Sequence, residues 1–341
     1  SKSIKKLKIE EVDYLISKID LDELFLRKSN SDKFEFLIHD YENKIIFIKP
    51  GNWYLDKPLI IPKDFVVTSK GHFKLNLINN GVILSRSPLN LEGEKNKNIV
   101  IKSNNNGMGL IVLDSKKESY FKYISFIGLS VPSNSSITGS ITFFRSPFNM
   151  ENCEIVNSRS EDGLNVFNSN FSMKNSSFKG SFSDALDVDF SSGRIDNVKF
   201  EDIENDAIDI SGTKLYMNNI SISKVNDKAI SIGENSYLIG NNLSIQNSAI
   251  GIASKDLSIG KITNLEIKST ELGFAIFQKK SEYGPASIEI KGDSVSNFST
   301  KKLYLLEPSS SLLINGFSYK PNINKVKDLL YGEVYGEKTI K

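Results

Sequence analysis

Carboxylates recur at a fixed spacing in the middle of this 341-residue chain. Asp184 and Asp187 are followed 22 residues later by Asp206 and Asp209, and Lys228 stands 22 residues beyond Asp206. Carboxylates grouped in this way can do two kinds of chemistry. They can hold a hard cation, since Ca²⁺ takes roughly six to eight oxygen ligands, or they can divide into an acid and a base acting on water. A lysine among them is either a charge-balancing partner or a Brønsted base. The plain alternative is a solvated polar face, because surface acids are ordinary. Like charges stacked on neighbouring strands nevertheless repel and need compensation.

These arguments assign roles. Asp184, Asp187, Asp206 and Asp209 are read as ligands of Ca²⁺, and Lys228 and Lys255 as candidate bases, with Glu234 beside them. Arg145, two coils earlier, is either a clamp for an anionic substrate or a structural residue. Asp162 and the substrate-binding candidates Asn165, Asp189, Ser231, Ser254, Asp256, Lys279 and Lys280 complete the outward set.

Repeats supply the scaffold that must position these residues. Leu164, Leu186, Ile208, Ile230, Ile250 and Phe274 mark one apolar strand position, at steps of 22, 22, 22, 20 and 24. A second column, Asn152, Asn175, Asn197, Asn219, Asn242 and Asn264, recurs at 23, 22, 22, 23 and 22. Its amides are expected to stack as an inward ladder. Three of its members, Asn175, Asn219 and Asn242, also lie in Asn-x-Ser sequons. The pattern predicts an all-β, single-stranded right-handed parallel β-helix of about 22 residues per coil. A helical cap is expected over residues 1–42, its apolar spacing strongest over 8–29. The β-helix is assigned to 43–320 and a capping tail to 321–341.

Composition removes other classes. With 43 basic and 41 acidic residues the net charge is only +2, so the basic stripe of a nucleic-acid binder is missing. A single cysteine, Cys153, allows neither an intramolecular disulfide nor a Cys-based zinc site. Both histidines, His39 and His72, precede the repeats. No apolar run is long enough to span a membrane as a helix. The start, Ser1 to Lys6, lacks the apolar core of a secretory signal.

The segment from Ile45 to Tyr54, with Pro50-Gly51 between two strands, resembles the opening coil of pectate-lyase-like β-helices. Asp184-Ala185-Leu186-Asp187 and Asp206-Ala207-Ile208-Asp209 resemble the Asp-Gly-x-Asp stretches of the metal-dependent lyases of that superfamily, with Ala in place of Gly. The order Asp184, Asp206, Lys228 to Gly233, then Ile252-Ala253-Ser254-Lys255 is similar to the successive motifs of polygalacturonase-type hydrolases, without their histidine and paired aspartates. Asn205 to Gly212 also resembles a bacterial group of β-helix-repeat proteins with no established reaction. The resemblance implies a secreted, periplasmic or cell-surface bacterial protein acting on a polysaccharide. Its leading form is a Ca²⁺-assisted lyase that cleaves an acidic glycan by β-elimination, with Lys228 or Lys255 as base. An inverting hydrolase and a non-catalytic glycan-binding scaffold are the alternatives.

Overall fold

The computed structural model describes residues 21–332 except 105–106 and 293–297. Short runs of Ile, Val, Leu and Phe broken by Gly, Asn and Ser form strands in register with the strand one coil away, giving a β-solenoid of about 11 turns. One face is built from Leu59–Ile61, Ile83–Ser85, Leu110–Leu113, Gly139–Phe144, Asp162–Phe167, Asp184–Asp189 and Ile208–Ser211. The closing parts of Lys214–Ile232 and Tyr237–Lys255, then Thr270–Phe277 and Thr300–Leu306, continue it. All these neighbours pair in parallel. The two antiparallel strand pairings among the described residues lie at the ends, Leu37–Asp40 with Ile45–Ile48 and Ser311–Ile314 with Phe317–Ser318, apart from an isolated bridge between Glu94 and Lys97.

The core is a set of inward columns. Leu164, Leu186, Ile208, Ile230, Ile252 and Phe274 are all fully buried and pair successively. This corrects the predicted marker: Ile230 aligns with Ile252, not Ile250, so the steps of 20 and 24 become 22 and 22. The slip was by two residues, which leaves the same face inward and is invisible to hydrophobic alternation alone. Stacked rings such as Phe178 and Phe200, 4.8 Å apart, fill the interior. Each buried Leu, Ile or Phe contributes roughly 1.5–3 kcal/mol.

The asparagine column is real but faces solvent, which overturns its predicted inward position. Asn152, Asn175, Asn197, Asn219, Asn242 and Asn264 all take left-handed backbone, with φ between 50° and 57°. Asparagine tolerates that conformation, so the turn itself selects the residue. Their amides bond from coil to coil on the exposed side, as from Asn197 to Asn175 at 2.7 Å and from Asn264 to Asn242 at 3.0 Å. The buried ladder is made of hydroxyls instead. Oγ of Ser146, Ser169 and Ser191, Oγ1 of Thr213 and Oγ of Ser236 each accept the backbone N–H of the equivalent residue one coil earlier.

Of the helix expected over 8–29, residues 8–20 lie outside the described residues and Leu21–Leu24 is helical. Leu21 and Leu24 pack on Ile60, Leu84 and Ile111, covering the outer side of the first coils. At the other end the helix Val326–Leu330 packs on Ala253, Ala275 and Leu305, covering the last coils. Between these two covers the outer side turns polar.

Candidate active site

Alternation along Asp184–Asp189 points Leu186 and Val188 into the core, so Asp187 and Asp189 project outward. Parallel pairing then aligns Asn165, Asp187, Asp209 and Ser231 in one outward column. Asp162 and Asp184 begin a neighbouring column that Asp206 and Lys228 continue through side-chain-to-backbone bonds. Asp184 Oδ1 accepts the amide of Asp206 at 2.8 Å, and Asp206 Oδ1 accepts that of Lys228 at 3.0 Å. Asn205 Nδ2 also donates to Asp184 at 2.6 Å, and Asn165 Nδ2 to Asp187 at 3.0 Å.

Burial of these acids sets their titration. Asp162 is pushed up to about 7, by burial first and then by Glu161, Asp189 and Asp209, against a hydrogen bond from Thr138. Asp206 is also pushed up to about 7 by burial, which outweighs the opposing Lys228. Asp184 and Asp187 rise well above the ordinary carboxylate range through burial and the carboxylates around them. Asp189, half-buried, rises to about 6 through burial, Asp209 and Glu234, with Lys280 opposing. Glu234 moves the other way. Burial raises it, but Lys280 at 2.6 Å and the Ser211 hydroxyl at 2.5 Å hold it below the usual range.

Neither lysine is arranged as a base. Lys228 Nζ is buried 2.5 Å from Asp227 and 3.2 Å from Asp206. Lys255 Nζ is buried 2.9 Å from Ser231 Oγ and 3.9 Å from Asp209. Burial lowers both pKa values, but the facing carboxylates more than reverse this and hold both groups cationic. Gly233 makes room for Lys255, since a Cβ there would come within 3.0 Å of the lysine Cε.

The four aspartates do not fit a calcium ion as arranged. Among the described residues no group of three or more His, Cys, Asp or Glu side chains is placed to hold a metal. Oxygens of three of the four are engaged within the protein, Asp206 Oδ1 by Lys228 and a backbone amide, Asp184 Oδ1 by Asn205 and another amide, and Asp187 by Asn165, while Asp209 Oδ1 has no hydrogen-bond partner. Lys228 and the raised carboxyl pKa values relieve the repulsion among them.

Other expected residues fall on both sides of the outcome. Ser231 is fully buried under Lys255. Ser254 faces the core in the column of Ile232 and Ile276, bonded to Ser258 at 2.7 Å, so it cannot touch a substrate. Asp256 is fully buried and accepts the backbone amides of Lys279 and Lys280 at 2.7 and 2.8 Å, a structural role in place of substrate binding. Lys279 lies over the Tyr331 ring, and Lys280 pairs with Glu234. Arg145 is held by Asp114 at 2.6 Å, both exposed, one turn beyond the acidic columns. Two hollows of about 530 and 760 Å³ lie elsewhere, each with a single acidic side chain, Glu271 and Glu154.

The family described as "Right handed beta helix region" matches residues 162–317. Among solved structures, a mutant periplasmic alginate epimerase covers 84% of this chain and 83% of its own, at 10% identity and a TM-score of 0.51. The catalytic domain of an α-1,3-glucanase in complex with nigerose covers 80% and 64%, at 12% identity and a TM-score of 0.41. The A-module of an Azotobacter vinelandii mannuronan C-5 epimerase covers 79% and 90%, at 11% identity and a TM-score of 0.36. The fold is a right-handed parallel β-helix. No curated protein matches the chain. Identities this low speak for the β-helix alone, so the chemistry must come from its own side chains. Among the described residues no helix is long and apolar enough to cross a membrane.

Several residues of this β-helix site escaped the sequence reading. Asp227, buried beside Lys228, is the second counter-ion. Tyr331, from the segment that closes the last coils, lies close enough to both lysines to act on their charge. Phe182 and Phe190, 69% and 63% exposed, bracket the acidic strand at its two ends. The signal for both was available: large apolar residues immediately outside a strand whose own core positions were already filled.

Proposed function

We propose that this protein is a glycoside hydrolase acting on a neutral polysaccharide, with Asp189 as general acid and Asp209 as general base. The observation that carries the reading is the placement of these two acids on successive coils of the uncovered part of the sheet, Asp209 opposite Asp187 and Asp189 two residues further along the same strand. Asp189 titrates near 6, so a useful fraction holds its proton at neutral pH. Asp209 has Lys255 as a counter-charge at 3.9 Å and keeps a buried Oδ1 with no hydrogen-bond partner. The two are diagonal neighbours on successive coils, and the reading requires room for a water between them, as in inverting enzymes.

In this mechanism the Asp189 proton passes to the glycosidic oxygen as its bond to the anomeric carbon breaks. Asp209 takes a proton from the water that attacks that carbon from the opposite face. Asp187, its carboxyl raised well above the usual range by burial and held by Asn165, lies beside them in the outward column that holds Asp209.

The lyase reading loses its base, because both lysines are held as cations. Lys228, Lys255 and Lys280 each face a carboxylate of the strip already, so none of the three is left to receive a uronate, and a neutral glycan replaces the acidic one first expected. Polysaccharides can be screened for new reducing ends while ultraviolet absorbance is followed. Hydrolysis releases reducing ends without absorbance, and Asp189→Asn should cut the rate roughly 10²–10⁴-fold, as expected for loss of a general acid. An absorbing unsaturated product, or full activity in Asp189→Asn, would refute the assignment.

A further inference from the structure

The acidic strip has an aromatic rim that the reaction does not use. Phe144, Phe167 and Asp189 occupy one outward column in register. The Phe144 and Phe167 rings stack at 4.8 Å with planes 3° apart, and Phe190 meets Phe167 edge-on at 5.6 Å. Phe190 takes left-handed backbone, φ 48°, in a turn where the neighbouring coils use Asn168 and Gly212 at φ 46° and 58°. Those residues adopt the conformation at little cost, whereas a bulky side chain there is a strained outlier. Gly212 forms the floor, since a Cβ on it would come within 2.7 Å of the Phe190 ring. An exposed ring on a strained backbone serves neither folding nor solubility, and such strain gathers at functional positions.

We infer that Phe144, Phe167 and Phe190 form a stacking platform for the sugar rings of a neutral glycan that continues into the acidic strip. This rests on the glycan reading of that strip. The occupant must lay an apolar face on the rings and present a polar edge to carboxyls in the same column. A pyranose does both, its C–H face meeting the negative face of the aromatic ring. A protein partner over the same column would instead bury the half-exposed Asp189 without a matching charge. Arg145, the cation beside the rim, is already paired with Asp114.

Affinity electrophoresis through gels containing dextran, barley β-glucan, galactomannan or alginate tests this. At least one neutral polysaccharide should retard the protein, and alginate should not. Phe167→Ala should weaken binding roughly 3- to 10-fold, as should Phe190→Asn, which suits the left-handed turn and removes only the ring. Phe190→Tyr should bind like the parent. The proposal is overturned if no neutral polysaccharide retards the protein, or if alginate alone does. Unchanged binding in both ring-deleted variants would also overturn it, as would a parent dimer that Phe190→Asn dissociates in sedimentation. Asp189→Asn is run alongside in a cleavage assay. If it still cleaves while the ring variants lose binding, the catalytic assignment fails and the platform stands.

Discussion

Replacing Asp162 by asparagine removes a buried carboxyl and keeps its shape, so it isolates one proton in the stability of the fold. The Asp162 carboxyl is raised from 3.8 in the unfolded chain to about 7 in the folded one. The folded state therefore holds the proton more tightly. Stability from this group is complete below about pH 4 and is lost as pH rises through 7. For these two pKa values the loss between pH 5 and pH 8 is roughly 2–3 kcal/mol. With roughly 2.1 cal/mol/K of unfolding entropy per residue, a chain of 341 residues moves by roughly 1.4 °C per kcal/mol. The parent should thus melt roughly 3–4 °C lower at pH 8 than at pH 5 from Asp162 alone. Asp162→Asn should flatten that slope and melt above the parent at pH 8. Differential scanning calorimetry across pH 5–8 reads both. A parent that stabilises with rising pH, or a slope that the substitution leaves unchanged, would refute the reasoning.

Two further outcomes follow from other contacts. Lys228→Met leaves Asp206 and Asp227 buried without a counter-charge and should cost roughly 3–5 kcal/mol at pH 8; the cost should shrink at pH 5, where Asp206 takes up a proton, and an equal loss at both values would count against the triad. Asn219→Leu forces a left-handed turn on a branched side chain and should cost roughly 1–2 kcal/mol, while Asn219→Gly should be close to neutral in denaturant unfolding; a large loss in the glycine variant would restore the buried amide ladder that the exposed position argues against.

The fold was legible because its signal is periodic. The asparagine and aspartate columns each repeat at about one coil, and any fold that honours that period must stack them. The direction of the asparagine side chains was not legible, because a left-handed turn and an inward ladder favour the same residue. The buried Ser146, Ser169, Ser191, Thr213 and Ser236 column repeats just as regularly but was masked by the abundance of serine. In the site, the Asp184, Asp187, Asp206 and Asp209 cluster was visible from spacing alone. Its protonation was not. Whether Lys228 is a base or a bound cation depends on Asp227 and on burial, which spacing does not report. Burial likewise decides Asp256. Ser254 was legible and was missed: it shares the parity of Ile250 and Ile252, so alternation alone turns its hydroxyl inward, as its pairing with Ile232 shows.

The central claim is that the acidic strip adds water across a glycosidic bond. Digestion of the polysaccharide that the protein retains, carried out in H₂¹⁸O and followed by mass spectrometry of the fragments, tests it most directly. One ¹⁸O is expected at each new reducing end, with no fragment lighter by one water, and loss of the labelled products in Asp189→Asn and Asp209→Asn. Unlabelled unsaturated fragments, or labelling that survives both substitutions, would contradict it.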